Sequence, residues 1–228
     1  MRIRSFIIAY IFVLAFLLFA DKRPTPKQPD HYSHVMDLTL TDAQSPNALH
    51  LAVTESQTRI IAPGALIPGT WAAGQIPPER LIAPLVVLDL NPTSQAPSQI
   101  SLDDIAAWES QHGMIPQGAV VAVRRANPAI DLPVTEPAAI PFKPLPIARD
   151  AAQFLMEARY TIGFAAETPV DLSSDRALAR QLALHGNYVV EKSAPFTTLP
   201  ATGSLIIVAP AKNQQPGEAP VRVLAMVR

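Results

Sequence analysis

A single mixed α/β domain is the fold class that this sequence predicts, on three observations. Short runs rich in Val, Ile and Leu alternate with two or three helical stretches, and no internal repeat is present. After an N-terminal apolar leader, about 190 to 200 residues remain, enough for one sizeable core. Several of the β-rich runs are apolar at every position, which points to a sheet covered on both faces.

The leader comes first in chain order. Arg2 and Arg4 precede an uncharged apolar run from Ser5 to Ala20, the pattern of a targeting segment. As a helix that run would rise about 24 Å, short of the roughly 30 Å hydrocarbon core. Leu18 stands where cleavage favours a small residue, and Lys22 and Arg23 follow at once. Residues 1–20 therefore read as a signal peptide or an N-terminal membrane anchor, and length does not choose between them. Either reading places the domain at the cell envelope, on the periplasmic or extracytoplasmic side. Residues 21–35 form a polar, Pro-rich linker, and the domain is expected over 36–228.

Six runs read as strands: Pro84 to Leu90, Ala119 to Arg124, Tyr160 to Ala165, Asn187 to Lys192, Ser204 to Pro210 and Val221 to Val227. Three stretches read as helices. In the first, Ser101 supplies an N-cap, Asp103 and Asp104 favour the positive helix end, and Gly113 supplies the stop, with Ile105 and Trp108 turned to the core. The second runs from Ala148 to Arg159, with Ala151, Phe154, Leu155 and Ala158 at helical spacing. The third runs from about Ser174 to His185, with Leu178 and Leu182 one turn apart and Gly186 as its stop.

Composition excludes several function classes. Eighteen basic residues against nineteen acidic ones leave no global field for nucleic acid. The absence of cysteine removes disulfides, thiolate zinc sites and cysteine nucleophiles. No Gly-x-Ser-x-Gly elbow appears, and no Gly-rich phosphate loop follows a strand. Of the five histidines, His31 and His34 lie in the linker, and His112 and His185 each close a helix. Arg124 and Arg125, at a strand end, are candidate anion contacts.

The stretch Ile100 to Arg124 carries Trp-Glu, His-Gly and Ile-Pro-x-Gly leading into a strand that ends in Arg. It resembles the metal-dependent cyclase family, which includes kynurenine formamidases (arylformamidases). Met36 to Thr41 resembles the opening strand of that family, Glu167 to Asp175 its Asp-Thr-x-Ser-x-Asp loop, and Val189 onward its C-terminal end. The resemblance implies a swivelling β/β/α domain with a mixed sheet, a homodimer, and a zinc or manganese site for hydrolysing cyclic or linear amides. The family motif His-x-Gly-Thr-His-x-Asp-x-Pro-x-His falls on Ile60 to Thr70, with its functional side chains replaced by Ile60, Gly64, Leu66 and Thr70. The later His falls on Ala179, and only the Glu is kept, as Glu191. No histidine lies between His50 and His112, so no shift of the alignment restores the motif.

Alkyl side chains offer no lone pair and one carboxylate does not hold a catalytic ion against water, so no metal residues and no cofactor are expected. The leading expectation is a non-catalytic homologue at the envelope with a small-molecule ligand in the old pocket, lined by Ile60, Leu66, Thr70, Trp71 and Glu191. Two alternatives stand beside it. One is an amide or lactone hydrolase with a rearranged site, in which His185 acts with Glu191. The other is a membrane-tethered module that docks a protein partner.

Overall fold

In the computed structural model, residues 32–40, 57–90, 99–125, 144–212 and 217–228 are described, all within the unit Tyr32–Arg228. The leader, most of the linker, His31 and His50 lie outside them. Among the described residues, no helix is long and apolar enough to cross a membrane.

The strands are β1 (His34–Asp37), β2 (Arg59–Ile61), β3 (Ile82–Leu90), β4 (Val120–Arg125), β5 (Gly163–Ala166), β6 (Tyr188–Glu191), β7 (Ser204–Pro210) and β8 (Glu218–Val227). The α-helices are α1 (Pro63–Leu66), α2 (Leu102–His112), α3 (Arg149–Ala158) and α4 (Arg176–Leu184). The spatial order β8-β2-β6-β5-β4-β3-β7 returns to β8, so seven strands form a closed barrel and β1 adds to β8. Pairing is parallel through β3, β4, β5 and β6 and antiparallel elsewhere. Among the described residues the architecture is thus a closed barrel with four α-helices rather than a simple mixed sheet with two or three. The extra helix, α1, is a single turn opened by Pro63, too short to leave a periodic signal in the sequence.

Closure creates two cores, one inside the barrel and one outside it, and strand alternation supplies both. Leu85, Val87, Val120, Ala122, Tyr188 and Val190 point inward. Val86, Leu88, Val121, Val123, Phe164 and Val189 point outward, where they meet the buried faces of the longer helices through Ile105, Trp108, Leu155, Leu178 and Leu182. The central residues of the parallel strands are therefore apolar on both faces because both faces are covered, with charges such as Asp89, Arg124 and Glu191 at or near the strand ends. Along β7 and β8 the pattern alternates instead, with Val221, Val223 and Ala225 buried and Arg222 exposed.

The predicted capping holds. Ser101 Oγ accepts from Asp104 N at 3.2 Å while Asp104 Oδ2 accepts from Ser101 N at 2.8 Å, and Gly113 closes α2 at φ 85°. Trp108 Nε1 donates to Val87 O at 3.0 Å, which ties α2 to the barrel, and His112 Nδ1 lies 3.0 Å from Trp108 O. Arg159 binds Glu109 through two contacts of 2.6 and 2.7 Å, joining α3 to α2. Helix α4 is capped by Asp175, one residue later than Ser174, because Arg149 holds that carboxylate at 2.8 and 2.9 Å while it accepts from Leu178 N.

Two strand boundaries and one side-chain role differ notably from the sequence reading. His34 and Val35 pair with Val227 and Met226, so strand pairing begins inside the segment read as linker. The run from Tyr160 becomes a strand only at Gly163, because Tyr160 has φ 52°. Arg124 is not a free anion contact: it grips Asp89 at 2.6 and 2.9 Å and donates to Leu199 O at 2.7 Å.

Gly163 faces the ring of Tyr188, which is fully buried and pinned by its hydroxyl donating to Arg80 O at 2.9 Å. A Cβ at this position would lie 2.7 Å from Tyr188 Cε2. Gly163→Ala is expected to cost about 1–3 kcal/mol through overpacking, read as a lower urea midpoint with an unchanged slope.

Candidate functional site

The segment after β2 decides what the family motif has become. Ala62 N donates to Gly217 O at 2.7 Å, Pro63 opens the single turn of α1, and Gly64 N donates to Trp71 O at 2.8 Å. Thr70 Oγ1 donates back to Ile67 O at 2.7 Å. The loop is folded on its own backbone, and glycine permits this. A Cβ at Gly64 would lie 2.8 Å from Trp71 O, and one at Gly217 would lie 2.2 Å from Ala65 N. The position matching the family's second His thus has no room for any side chain.

The expected pocket residues do not converge on one place. Ile60 points into the barrel interior, opposite Val190, because it alternates with Arg59 and Ile61 on β2. Its neighbour Ile61 faces outward and lines a cavity of about 650 Å³ between α1, the loop after β5, α4 and the start of β8. Leu66 and Ala179, which the sequence resemblance aligns with family metal ligands, line this same cavity. Glu191 is 2% exposed behind its Val170 wall, where Glu191 Oε2 accepts from Val170 N at 2.8 Å. Glu218 closes one side and binds Arg59 at 3.0 Å.

Thr70, Trp71 and His185 line a separate cavity of about 330 Å³ between the α1 loop and the C-terminal end of α4. The Arg80 guanidinium lies 5.5 Å from the centre of the Trp71 ring and donates to Gly186 O at 2.9 Å. His185 Nε2 faces Glu157 at 3.9 Å, with both side chains substantially exposed. His185 precedes β6 and Glu191 ends it, so the structure does not bring this candidate pair together.

The residues present do not fit the family's divalent ion. Alkyl groups stand at Ile60, Leu66 and Ala179, and Gly64 is closed off. Among the described residues, no three His, Cys, Asp or Glu side chains gather where they would hold a metal. Sequence reading missed Ile61, Asp171, Arg176, Arg180 and Glu218 as cavity residues. The i,i+4 spacing of Arg176 and Arg180 on the expected helix was a usable signal, since it puts both on one face.

Desolvation pushes the Glu191 carboxyl above its ordinary value of 4.5, against the Val170 amide and the charges of Lys192 and Arg59. The folded chain therefore keeps this proton to higher pH than the unfolded chain does, and stability falls as pH rises from the ordinary carboxylate value toward the raised one. Urea unfolding across about pH 4 to 8 should show this decline in the parent relative to Glu191→Gln, which does not titrate and still offers Val170 an acceptor. Glu191→Ala leaves the Val170 amide unpaired and should cost about 1–3 kcal/mol. Gly64→Ala should cost a similar amount, about 1–3 kcal/mol, because its obstacle is backbone that cannot rotate away.

Comparison with known proteins identifies the family. Residues 18–170, about two thirds of the chain, match the Cyclase family, described as "Putative cyclase". An isatin hydrolase of Roseibium aggregatum is 29% identical over 167 residues, covering 65% of this chain; the chain spans 61% of the length of that relative. Isatin hydrolase A from Ralstonia solanacearum has a similar structure, with TM-score 0.68 at 23% identity over 96% of this chain and 97% of that one. Isatin hydrolase A from Labrenzia aggregata, bound to benzyl benzoate, gives TM-score 0.65 at 24% identity over 85% and 93%. A structure described as a potential metal-dependent hydrolase with cyclase activity gives 0.59 at 21% over 86% and 98%. The barrel, its helices and the matched segment together establish that this chain belongs to the cyclase family.

Proposed function

We propose that this chain is a cyclase-family protein in which metal-dependent hydrolysis has been lost and the former centre has become a small-molecule binding cavity. One observation carries the reading. The cavity lined by Leu66 and Ala179 offers no metal donor at either position, and the neighbouring Gly64 is closed off by the Trp71 carbonyl. A cavity of about 650 Å³ is within the size range of small-molecule sites, and its mixed lining of apolar and charged side chains suits an organic ligand with a polar group. The relatives are hydrolases, so the proposal concerns a change within an enzymatic family. We further assign the fold to the swivelling β/β/α class, the assembly to a homodimer and the location to the envelope, through residues 5–20. The rearranged hydrolase finds no support in the geometry, since His185 meets Glu157 and Glu191 meets Val170.

The test is elemental mass spectrometry on the full-length protein after equilibration with zinc and manganese and desalting, together with hydrolysis assays on isatin and N-formyl arylamines. Less than about a tenth of an equivalent of metal, with no turnover above the buffer rate, is expected. A stoichiometric metal accompanied by turnover would overturn the reading.

A further inference from the structure

Helix α4 gives the cavity a character that the loss of a metal does not by itself explain. Arg176 and Arg180 lie one turn apart on its cavity-facing side, with Ala179 beside them. Ala179, in place of the family's His, leaves open the wall between two long cationic side chains. Neither guanidinium has a hydrogen-bond or ion-pair partner among the described residues. This sets them apart from Arg59, Arg124, Arg149, Arg159 and Arg222, each of which holds a carboxylate.

Two carboxylates, Asp171 and Glu218, face the same space. Asp171 Oδ1 accepts from Ser173 N at 2.8 Å and from Ser173 Oγ at 2.6 Å, and Glu218 is held by Arg59 at 3.0 Å. Ser173 is a neutral donor and leaves Asp171 charged, whereas Arg59 offsets Glu218, so two guanidinium groups face one uncompensated carboxylate and the balance in the cavity is positive. That charge lies at the N-terminal half of α4, where the helix dipole adds to it. Opposite stand Ile61, Leu66 and Leu172, which offer apolar surface and no hydrogen bonds.

We infer that this cavity binds a compact organic anion, an oxyanion head on an apolar body, with Arg176 and Arg180 gripping the head and Leu66 packing the body. The guanidinium fork matches both carboxylate and phosphate geometry, so the shared feature is a multidentate oxyanion. The inference rests on the reading that this cavity has replaced the metal centre, and it names the ligand class that the replacement selects.

The experiment is calorimetric titration of the full-length protein with 1-naphthoate, 1-naphthyl phosphate and the uncharged 1-naphthamide, each with and without EDTA. At least one anion is expected to bind about tenfold or more tighter than the amide, and the tighter anion identifies the head group. Arg176→Ala and Arg180→Ala should each weaken that anion about tenfold with thermal unfolding unchanged, and Ala179→Trp should block anion and amide together. Equal binding of amide and anions, no anion binding at all, or indifference to both arginine substitutions would overturn the inference. In those cases, amide binding that Ala179→Trp abolishes would leave the cavity reading standing. Anion binding that disappears in EDTA would instead overturn the loss of the metal centre, and the inference with it.

Discussion

Strand β8 is bonded along one edge to β7 and along the other first to β2 and then to β1, and the remaining architecture depends on that double occupancy. A ten-residue strand is long enough for two short partners in succession, with Glu218 to Pro220 serving β2 and Leu224 to Val227 serving β1. Because β2 also pairs with β6, the sheet closes and has no free edge between its parallel and antiparallel halves. Closure then dictates composition. The inside must be filled by alternate residues of every strand, and the outside of the parallel half must be covered by helices.

The same closure positions the candidate site. Arg59 pairs with both Glu191 and Pro220 across β2, which brings the retained family carboxylate close to the start of β8 and to the Arg59–Glu218 ion pair. Leaving β2, the chain runs between Gly217 on one side and Trp71 on the other, each in backbone contact with it. Two glycines make this path possible, and in doing so they remove the room for a side chain at position 64. The loop that the resemblance aligns with the family's metal motif is here a closed turn, and the cavity beside it is bounded by alkyl groups, arginines and the carboxylates of Asp171 and Glu218.

Electrostatics separates the structural charges from those facing the cavity. The carboxylates of Asp37, Glu109 and Asp175 are held below their ordinary values by hydrogen bonds and by arginines that pair with them, and they anchor β1, α2 and α4. Burial moves Glu191 the other way, as expected of a carboxyl whose close hydrogen-bond partner is one amide. It accepts from the Val170 amide in the loop that leads into α4.

The sequence by itself determined much of this protein. Val, Ile and Leu runs located the longer strands, Ser101, Gly113 and Gly186 marked helix ends, and the family resemblance singled out Ile60, Gly64, Leu66 and Ala179 as positions to examine. Those signals are local, so they survive without knowledge of what packs where. Only the tertiary structure decided that the sheet closes, that Ile60 faces the barrel interior while Ile61 lines the cavity, and that His185 and Glu191 stand apart. The reason is physical: the two faces of an all-apolar strand look alike in sequence, and a three-residue strand or a one-turn helix carries too few positions to show a period. Which arginines remain unpaired depends on contacts between segments far apart in the chain, and folding alone fixes those.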